Sequence, residues 1–188
     1  MIMAELRIIP GKQTDNNLIF YVRDEIQEKL PDGLFEEVTA YSERLNVPED
    51  AFAPTRNRYR AEQVLPQLVS HMPEHGRAIG IIDEDILTSR QDHVFGLAEK
   101  GRNSLVSLAR LREQFYGREP DTKLFKERAL KVAMHEFGHS MGLEACDNEC
   151  IMSGISTIEK IDSYDARFCD ECKSKLKETY LSQIGERR

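Results

Sequence analysis

The chain has 188 residues, of which 40% are hydrophobic and 31% charged, a balance that predicts a folded domain and excludes a largely disordered chain. Its formal net charge of -7 argues against a general nucleic-acid binder, and no apolar run approaches the roughly 20 residues of a membrane-spanning helix. Because segment 1–7 also lacks the long apolar core of a signal peptide, we expect a soluble cytoplasmic protein without nucleic-acid or membrane partners.

The first part of the chain predicts a strand, a helix and a second strand. Residues 6–9 form the short apolar run of the first strand. Thr14 or Asp15 can cap the helix, and the Pro-Asp-Gly segment 31–33 ends it. The second strand is predicted over 34–41. The apolar face of the helix repeats every four residues, at Leu18, Val22, Ile26 and Leu30.

The middle of the chain predicts another helix and three more strands. Apolar spacing over 64–72 indicates a second amphipathic helix. The continuous apolar run 78–82 predicts a buried central strand, and segments 94–98 and 104–108 predict two further strands. This alternation predicts an α/β or α+β fold in which helices pack on a twisted sheet.

The segment 135–146, HEFGHSMGLEAC, carries the strongest chemical signal. His135 and His139 are four residues apart, so on a helix both imidazoles can bind one Zn²⁺. Glu136 lies beside them and can act as general base, while the metal lowers the pKa of a bound water to about 7. Gly142 permits the left-handed turn that ends a helix. Apolar residues at helical spacing support this helix, namely Leu130, Met134, Phe137 and Met141.

The cysteines form two close pairs near the C-terminus, Cys146 with Cys150 and Cys169 with Cys172. Two pairs separated by a loop have the spacing of a tetrahedral Cys₄ zinc site, whose closed shell makes the metal structural. The alternatives are two disulfides, which a reducing compartment disfavours, or buried free thiols. The metal would fix the segment after the active-site helix to a C-terminal helix over 172–184.

Together these motifs resemble the archaemetzincins, a branch of the metzincin zinc peptidases with the pattern HExxHxxGxxHC, then CxM and a distal CxxC. Segments 53–59, 79–86 and 94–111 also look like that family, so the resemblance covers most of the chain. It implies a metzincin-like twisted mixed sheet with packed helices, and zinc at a catalytic site and at a Cys₄ site. It also implies that Met152 forms an apolar base under the catalytic metal and that a peptide lies along a sheet edge near 94–99.

The chain departs from the family pattern at two positions. Ala145 stands where the family has its third histidine ligand, and the gap from Cys146 to Cys150 is one residue shorter. Because catalytic zinc normally has three protein ligands and one water, two histidines alone should bind it weakly. Glu144 or Asp147 could replace the missing ligand, although neither occupies the equivalent position. The remaining histidines are interpreted as surface or hydrogen-bonded side chains rather than ligands: His71, His75 and His93.

Two functions follow, and we favour the first. It is a zinc-dependent peptidase acting on peptides or proteins, in which Glu136 takes a proton from the attacking water and later protonates the leaving amine. The missing ligand predicts weak activity. The second, favoured by Ala145, is a catalytically silent zinc protein that acts as a structural or peptide-binding module. In both cases we expect a single domain, 1–188, with a sheet-and-helix half over 1–117 and a metal-binding half over 118–188.

Overall fold

A computed structural model of the chain describes residues 4–185. Residues 1–3, part of the segment 1–7 that lacks a signal-peptide core in the sequence, lie outside the described residues. Within the described part, no helix is long and apolar enough to span a membrane. In chain order the elements are β1 (Glu5–Pro10), α1 (Asn16–Lys29), β2 (Glu37–Ala40), β3 (Phe52–Ala53), β4 (Arg58–Arg60), α2 (Ala61–Val64), β5 (Gly76–Ile82), β6 (Ile86–Leu87), β7 (Gly96–Ala98), β8 (Ser104–Ser107), α3 (Thr122–Ser140), α4 (Ile158–Ser163) and α5 (Asp170–Gly185).

Among the described residues, the main sheet has five strands in the order β2-β1-β5-β8-β7. The pairs β1 with β2, β1 with β5 and β5 with β8 are parallel, whereas β7 runs antiparallel to β8 and forms one edge. The strand β5 is buried along almost its whole length, as its continuous apolar run predicts. The prediction of an α/β fold built on a mixed sheet is therefore confirmed.

Helices α1 and α3 cover one face of this sheet. Their buried side chains form a single apolar cluster with residues of β1, β5 and β8, while α2 and the segment after it pack in a second cluster. The side chain of Asp15 caps α1 by accepting a hydrogen bond from the Asn17 backbone at 3.0 Å. Thr14, the other predicted cap, instead donates its hydroxyl to Asp83 at 2.7 Å. The start of α1 is thus fixed both locally and to the end of β5.

The segment 64–72 differs from its prediction. The α-helix α2 ends at Val64 and is followed by a 3₁₀ helix, Leu65–His71. Pro66 lies in the first turn of this segment, where it has no N–H to donate and its ring disfavours continuation of an α-helix. The apolar spacing correctly identified the buried residues Leu65 and Leu68, but it could not distinguish the two helix types.

A small second sheet includes segment 52–60, for which the sequence predicts no strand. Strands β3, β4 and β6 pair in that order, with β3 antiparallel and β6 parallel to β4. Each strand has only two or three residues, which is too short to show an alternating apolar pattern. This sheet connects to the edge of the main sheet, because Val94 donates a backbone hydrogen bond to Ile86 at 3.1 Å.

Helix α3 ends as its sequence predicts. Gly142 has a φ of +94°, and its N–H donates to the His139 carbonyl at 2.9 Å. The next N–H, from Leu143, donates to the Gly138 carbonyl at 2.9 Å. These bonds satisfy carbonyls of the last turn and reverse the chain beside the histidines.

Candidate active site and metal centre

The two histidines of α3 converge at their Nε2 atoms, which lie 2.9 Å apart. The Nδ1 atom of His135 is 2.8 Å from the Ile151 carbonyl, and that of His139 is 2.9 Å from the Leu143 carbonyl. Because a carbonyl oxygen only accepts, each Nδ1 carries the ring proton and each Nε2 presents a lone pair. Two zinc bonds of about 2.0–2.1 Å can span this separation, so the pair fits a shared Zn²⁺.

The backbone carbonyls behind the two rings also fix how the rings are oriented. A histidine that binds a metal usually donates its other N–H to a carboxylate or carbonyl, which sets both tautomer and ring plane. Here the acceptors come from two different segments that follow α3, one of them the turn at Ile151. Burial lowers the pKa of His135 to about 4, which favours the neutral imidazole that a metal requires.

Glu136 is buried between α3 and the edge strand β7, with only 7% of its surface exposed. A Cβ atom on Gly96 would lie 2.5 Å from Glu136 Cγ and 2.6 Å from the Leu105 carbonyl, so this position accepts no side chain. Burial raises the pKa of Glu136 to about 8. A carboxyl group with a pKa near neutrality is suited to taking up and releasing a proton at physiological pH.

A cavity of about 340 Å³ opens beside the histidines and Glu136. Its opposite wall comes from segment 93–96, which leads into β7, and from Ile155 and Ser156. The cavity is large enough for part of a peptide, and it places the edge strand across from the helix that carries the histidines. The arrangement therefore brings two nitrogens that could bind a metal, a buried carboxyl group and a strand edge into one cleft.

The candidate replacements for the third ligand do not lie in this cavity. Glu144, Ala145 and Asp147 line a separate cavity of about 210 Å³ beside Cys146 and Cys172. In contrast, His93, which the sequence analysis interpreted as a surface or hydrogen-bonded side chain, lies on the wall of the cavity beside the His pair. Its side chain is exposed, as expected, but its position relative to the His pair was not evident from the sequence.

Met152 lies directly beneath α3 in the 3₁₀ turn Ile151–Ser153. Its side chain is fully buried, and a Cβ atom on Gly138 would lie 2.5 Å from its Sδ. The same turn contains Ile151, whose carbonyl lies against Nδ1 of His135. The Met152 carbonyl accepts a hydrogen bond from the Cys146 N–H at 3.1 Å. One turn therefore supports the histidine helix and also holds the start of the cysteine cluster.

The four cysteine sulfurs lie within 4.8 Å of one another. Cys146 Sγ and Cys169 Sγ are 3.7 Å apart, close to the roughly 3.8 Å edge of a tetrahedron with zinc–sulfur bonds of 2.3 Å. Burial raises the pKa of Cys172, and its cysteine neighbours raise it further. Burial also raises the pKa of Cys169, but hydrogen bonds from Cys172 and Asn148 outweigh it and lower the value to about 7. A cation that binds all four sulfurs would relieve this crowding of thiols.

Several residues that shape the site were not identified from the sequence. Arg128 on α3 is almost fully buried and contacts Asp162 and Glu113, each at 2.6 Å. Its partners are 34 and 15 residues away, so no local pattern reveals them. Gly96 did leave a signal, because an isolated glycine in a strand pattern often marks a close approach of another chain segment.

Comparison with known proteins places this geometry in context. The sequence model of peptidase family M54 matches residues 3–178 of this chain. The archaemetzincin of Pyrococcus abyssi is 37% identical over 161 residues, which cover 84% of this chain and 81% of the relative. The crystal structure of archaemetzincin from Methanopyrus kandleri superposes with a TM-score of 0.80 at 28% identity, covering 94% of this chain and 95% of that one. A zinc-dependent peptidase from Methanocorpusculum labreanum also gives 0.80, at 26% identity and 91% and 99% coverage.

Proposed function

The chain belongs to peptidase family M54, and from this membership we propose that it is a zinc-dependent peptidase with the catalytic Zn²⁺ at His135 and His139. The observation that carries the proposal is the pair of Nε2 lone pairs, 2.9 Å apart, beside the buried carboxyl group of Glu136. When bound, zinc polarises a carbonyl group and lowers the pKa of a water molecule to about 7. The departure at Ala145 predicts that this activity is weak.

Glu136 is the general base in this proposal. Its carboxylate takes a proton from the attacking water and then delivers that proton to the leaving amine of the cleaved peptide bond. Two features support the role. The group is buried against Gly96, which fixes the position of its side chain, and it lines the same cavity as the histidines. A fixed carboxylate needs little reorganisation during the reaction.

We expect the substrate to be a peptide or protein segment bound in an extended conformation. The strand β7 is at the edge of the main sheet, and segment 93–96 lines the cavity. An edge strand can bind an extended peptide through main-chain hydrogen bonds, which give affinity with little dependence on sequence. This arrangement would place a peptide bond between β7 and the histidine helix.

A second zinc belongs, in this proposal, to the cluster of four cysteines. A closed shell of four thiolates leaves no position for water, so this metal stabilises the fold and takes no part in cleavage. Thiolates persist in a reducing environment, which supports the cytoplasm as the compartment in which the protein works. The metal would join the segment after α3 to the first turn of α5, which holds Cys172.

The alternative of a catalytically silent module rests on Ala145. If the His pair bound no metal, the cleft and the edge strand could still bind a peptide without cleaving it. This alternative predicts that the protein captures peptides but releases them intact. It also predicts that Glu136 can be changed without any effect on peptide binding.

The substitution Glu136→Gln tests the proposed function. It removes the proton acceptor but retains the size of the side chain, so cleavage of a fluorescence-quenched peptide library should fall by about 10²–10⁴-fold. Zinc content, measured by atomic emission, should be the same as in the parent. The matched control is Glu127→Gln, on the same helix and outside the cavity, which should cleave like the parent.

Cleavage by Glu136→Gln at the parental rate would contradict the general-base role. If the parent bound library peptides but cleaved none of them, the silent module would be the correct interpretation.

A further inference from the structure

We propose that His93 supplies the third protein ligand to the catalytic zinc, in place of the histidine that is missing at position 145. The inference rests on the proposed function, because it assumes that zinc binds at His135 and His139. It concerns a residue outside the HExxH segment, 42 positions before His135 in the chain. No spacing motif connects the two, so only the fold brings them to one cavity.

The first argument is the chemistry of the cavity wall. Apart from the His pair and Glu136, the side chains on it that carry a nitrogen or oxygen donor are Gln91, His93 and Ser156. Zinc in proteins is bound by cysteine, histidine and carboxylate side chains, and an amide or a neutral hydroxyl is a poor substitute. His93 is therefore the residue of this wall whose chemistry matches a third ligand.

The second argument is the face of the chain on which His93 lies. Its ring contacts the ring of Phe95 edge-on, with centroids 6.2 Å apart. Phe95 is buried in the same apolar cluster as Met134 and Phe137 of α3. His93 thus lies on the side of this segment that faces the histidine helix, three residues before the glycine that touches Glu136.

The third argument is that the backbone around His93 is fixed while its imidazole is free. The Asp92 carbonyl accepts a hydrogen bond from Arg58 at 2.8 Å, and the Val94 N–H donates to Ile86 at 3.1 Å. The imidazole itself forms no hydrogen bond with another described residue, so both ring nitrogens are available. The fixed backbone lowers the entropic cost of binding a metal, and the imidazole has no existing hydrogen bond to give up.

The carboxylates considered as replacements have a different environment. Glu144 and Asp147 line the cavity beside the cysteine cluster, together with Lys175. Neither of them lines the cavity that holds the His pair. His93, in contrast, lines the same cavity as the His pair.

The experiment measures zinc affinity rather than cleavage alone. The full-length parent, with its cysteine site loaded, is titrated with zinc in competition with a chromophoric chelator. His93→Ala should lower the zinc affinity of the His pair by at least about 100-fold. Loss of a residue that only hydrogen-bonds a metal ligand costs about 10–100-fold, so a direct ligand should cost at least the upper value. The cysteine site should be unaffected. His75→Ala is the matched control, because this histidine lies outside the cavity. The zinc affinity of this variant should equal that of the parent.

A second readout and a rescue variant make the test independent of activity. With Co²⁺ in the site, His93→Ala should change the visible absorption bands, because the number of nitrogen ligands falls. Ala145→His supplies the family's ligand, so adding His93→Ala to that variant should cost much less affinity than adding it to the parent.

The possible failures are distinguishable. If the parent binds zinc at the His pair and His93→Ala binds it equally well, the inference is wrong and the proposed function stands. The same conclusion follows if His93→Ala lowers only the rate of cleavage, since His93 would then contact the substrate. If the parent binds no zinc at the His pair, both the inference and the proposed function fail.

Discussion

At the scale of single residues, the candidate active site depends on two backbone carbonyls and one glycine as well as on reactive side chains. The Ile151 and Leu143 carbonyls orient the two imidazoles, and Gly96 provides the space for Glu136. These contacts come from segments that precede and follow α3 in the chain. The orientation of the histidines is therefore a property of the fold and not of the helix alone.

Gly96→Ala is expected to reduce peptide cleavage by about 100-fold, the cost of moving a catalytic group by about 1 Å. The added methyl group would clash with Glu136 and with the Leu105 carbonyl, so the carboxyl group or the strand must move. The measurement is kcat/KM on the peptide library together with zinc content, which should not change.

The control for this substitution is Ala98→Gly, which changes one methyl group on the same strand away from Glu136. Parental activity in Gly96→Ala would show that the position of Glu136 is not important for cleavage.

The sequence was sufficient to predict residues whose chemistry and spacing are local. The convergence of His135 and His139 follows from helical geometry, and the grouping of the four cysteines follows from the spacing of their pairs. The position of His93 and the role of the Ile151 carbonyl could not be predicted. They depend on contacts between distant segments, and a backbone carbonyl carries no sequence signal.

At the scale of secondary-structure elements, α3 is held in place at both ends. Its C-terminal turn is closed at Gly142, and Met152 packs beneath it. Further toward its start, Arg128 donates to Asp162 of α4, to Glu113 and to the Leu111 carbonyl. This ion network, in which Arg128 and Glu113 are buried, anchors the helix that carries the histidines.

Arg128→Ala should lower the free energy of unfolding by about 3 kcal/mol, because the substitution leaves the buried carboxylate of Glu113 without its nearest cation. Urea denaturation monitored by circular dichroism gives the value. Lys123→Ala, on an exposed position of the same helix, should change it by less than about 0.5 kcal/mol. Equal stability of the two variants would mean that the network does not hold α3.

Elements with a regular apolar period were predicted well from the sequence. Helix α1 and strand β5 are examples, because burial of one face or of a whole strand imposes a pattern. The 3₁₀ helix at Leu65–His71 and the short strands β3, β4 and β6 were not predicted. Pro66 changes the helix type without changing the apolar spacing, and two or three residues cannot show a period.

At the scale of the whole molecule, we propose that 1–188 form one domain. The main apolar cluster joins residues of β1 and α1 to Met152, Phe168 and Leu176 in the last third of the chain. A core shared in this way couples the sheet to both candidate metal sites. The boundary near 117 then divides the chain by function and does not separate two folding units.

This proposal predicts a single cooperative unfolding transition by calorimetry. It also predicts that Cys172→Ser, which removes a ligand from the cysteine site, destabilises the entire protein. The loss should be about 4 kcal/mol where free zinc is 1,000-fold above the dissociation constant, since zinc then stabilises only the folded parent. Two separate transitions, with only one shifted by Cys172→Ser, would contradict a single domain.

The account depends above all on whether the His pair binds zinc despite Ala145. The most direct measurement is the number of zinc ions per chain in the parent and in the His135→Ala/His139→Ala double variant. We expect about two in the parent and about one in the variant, with the remaining ion bound by the four cysteines. Equal zinc content in both proteins would show that the histidines bind no metal, and the proposed peptidase function would be wrong.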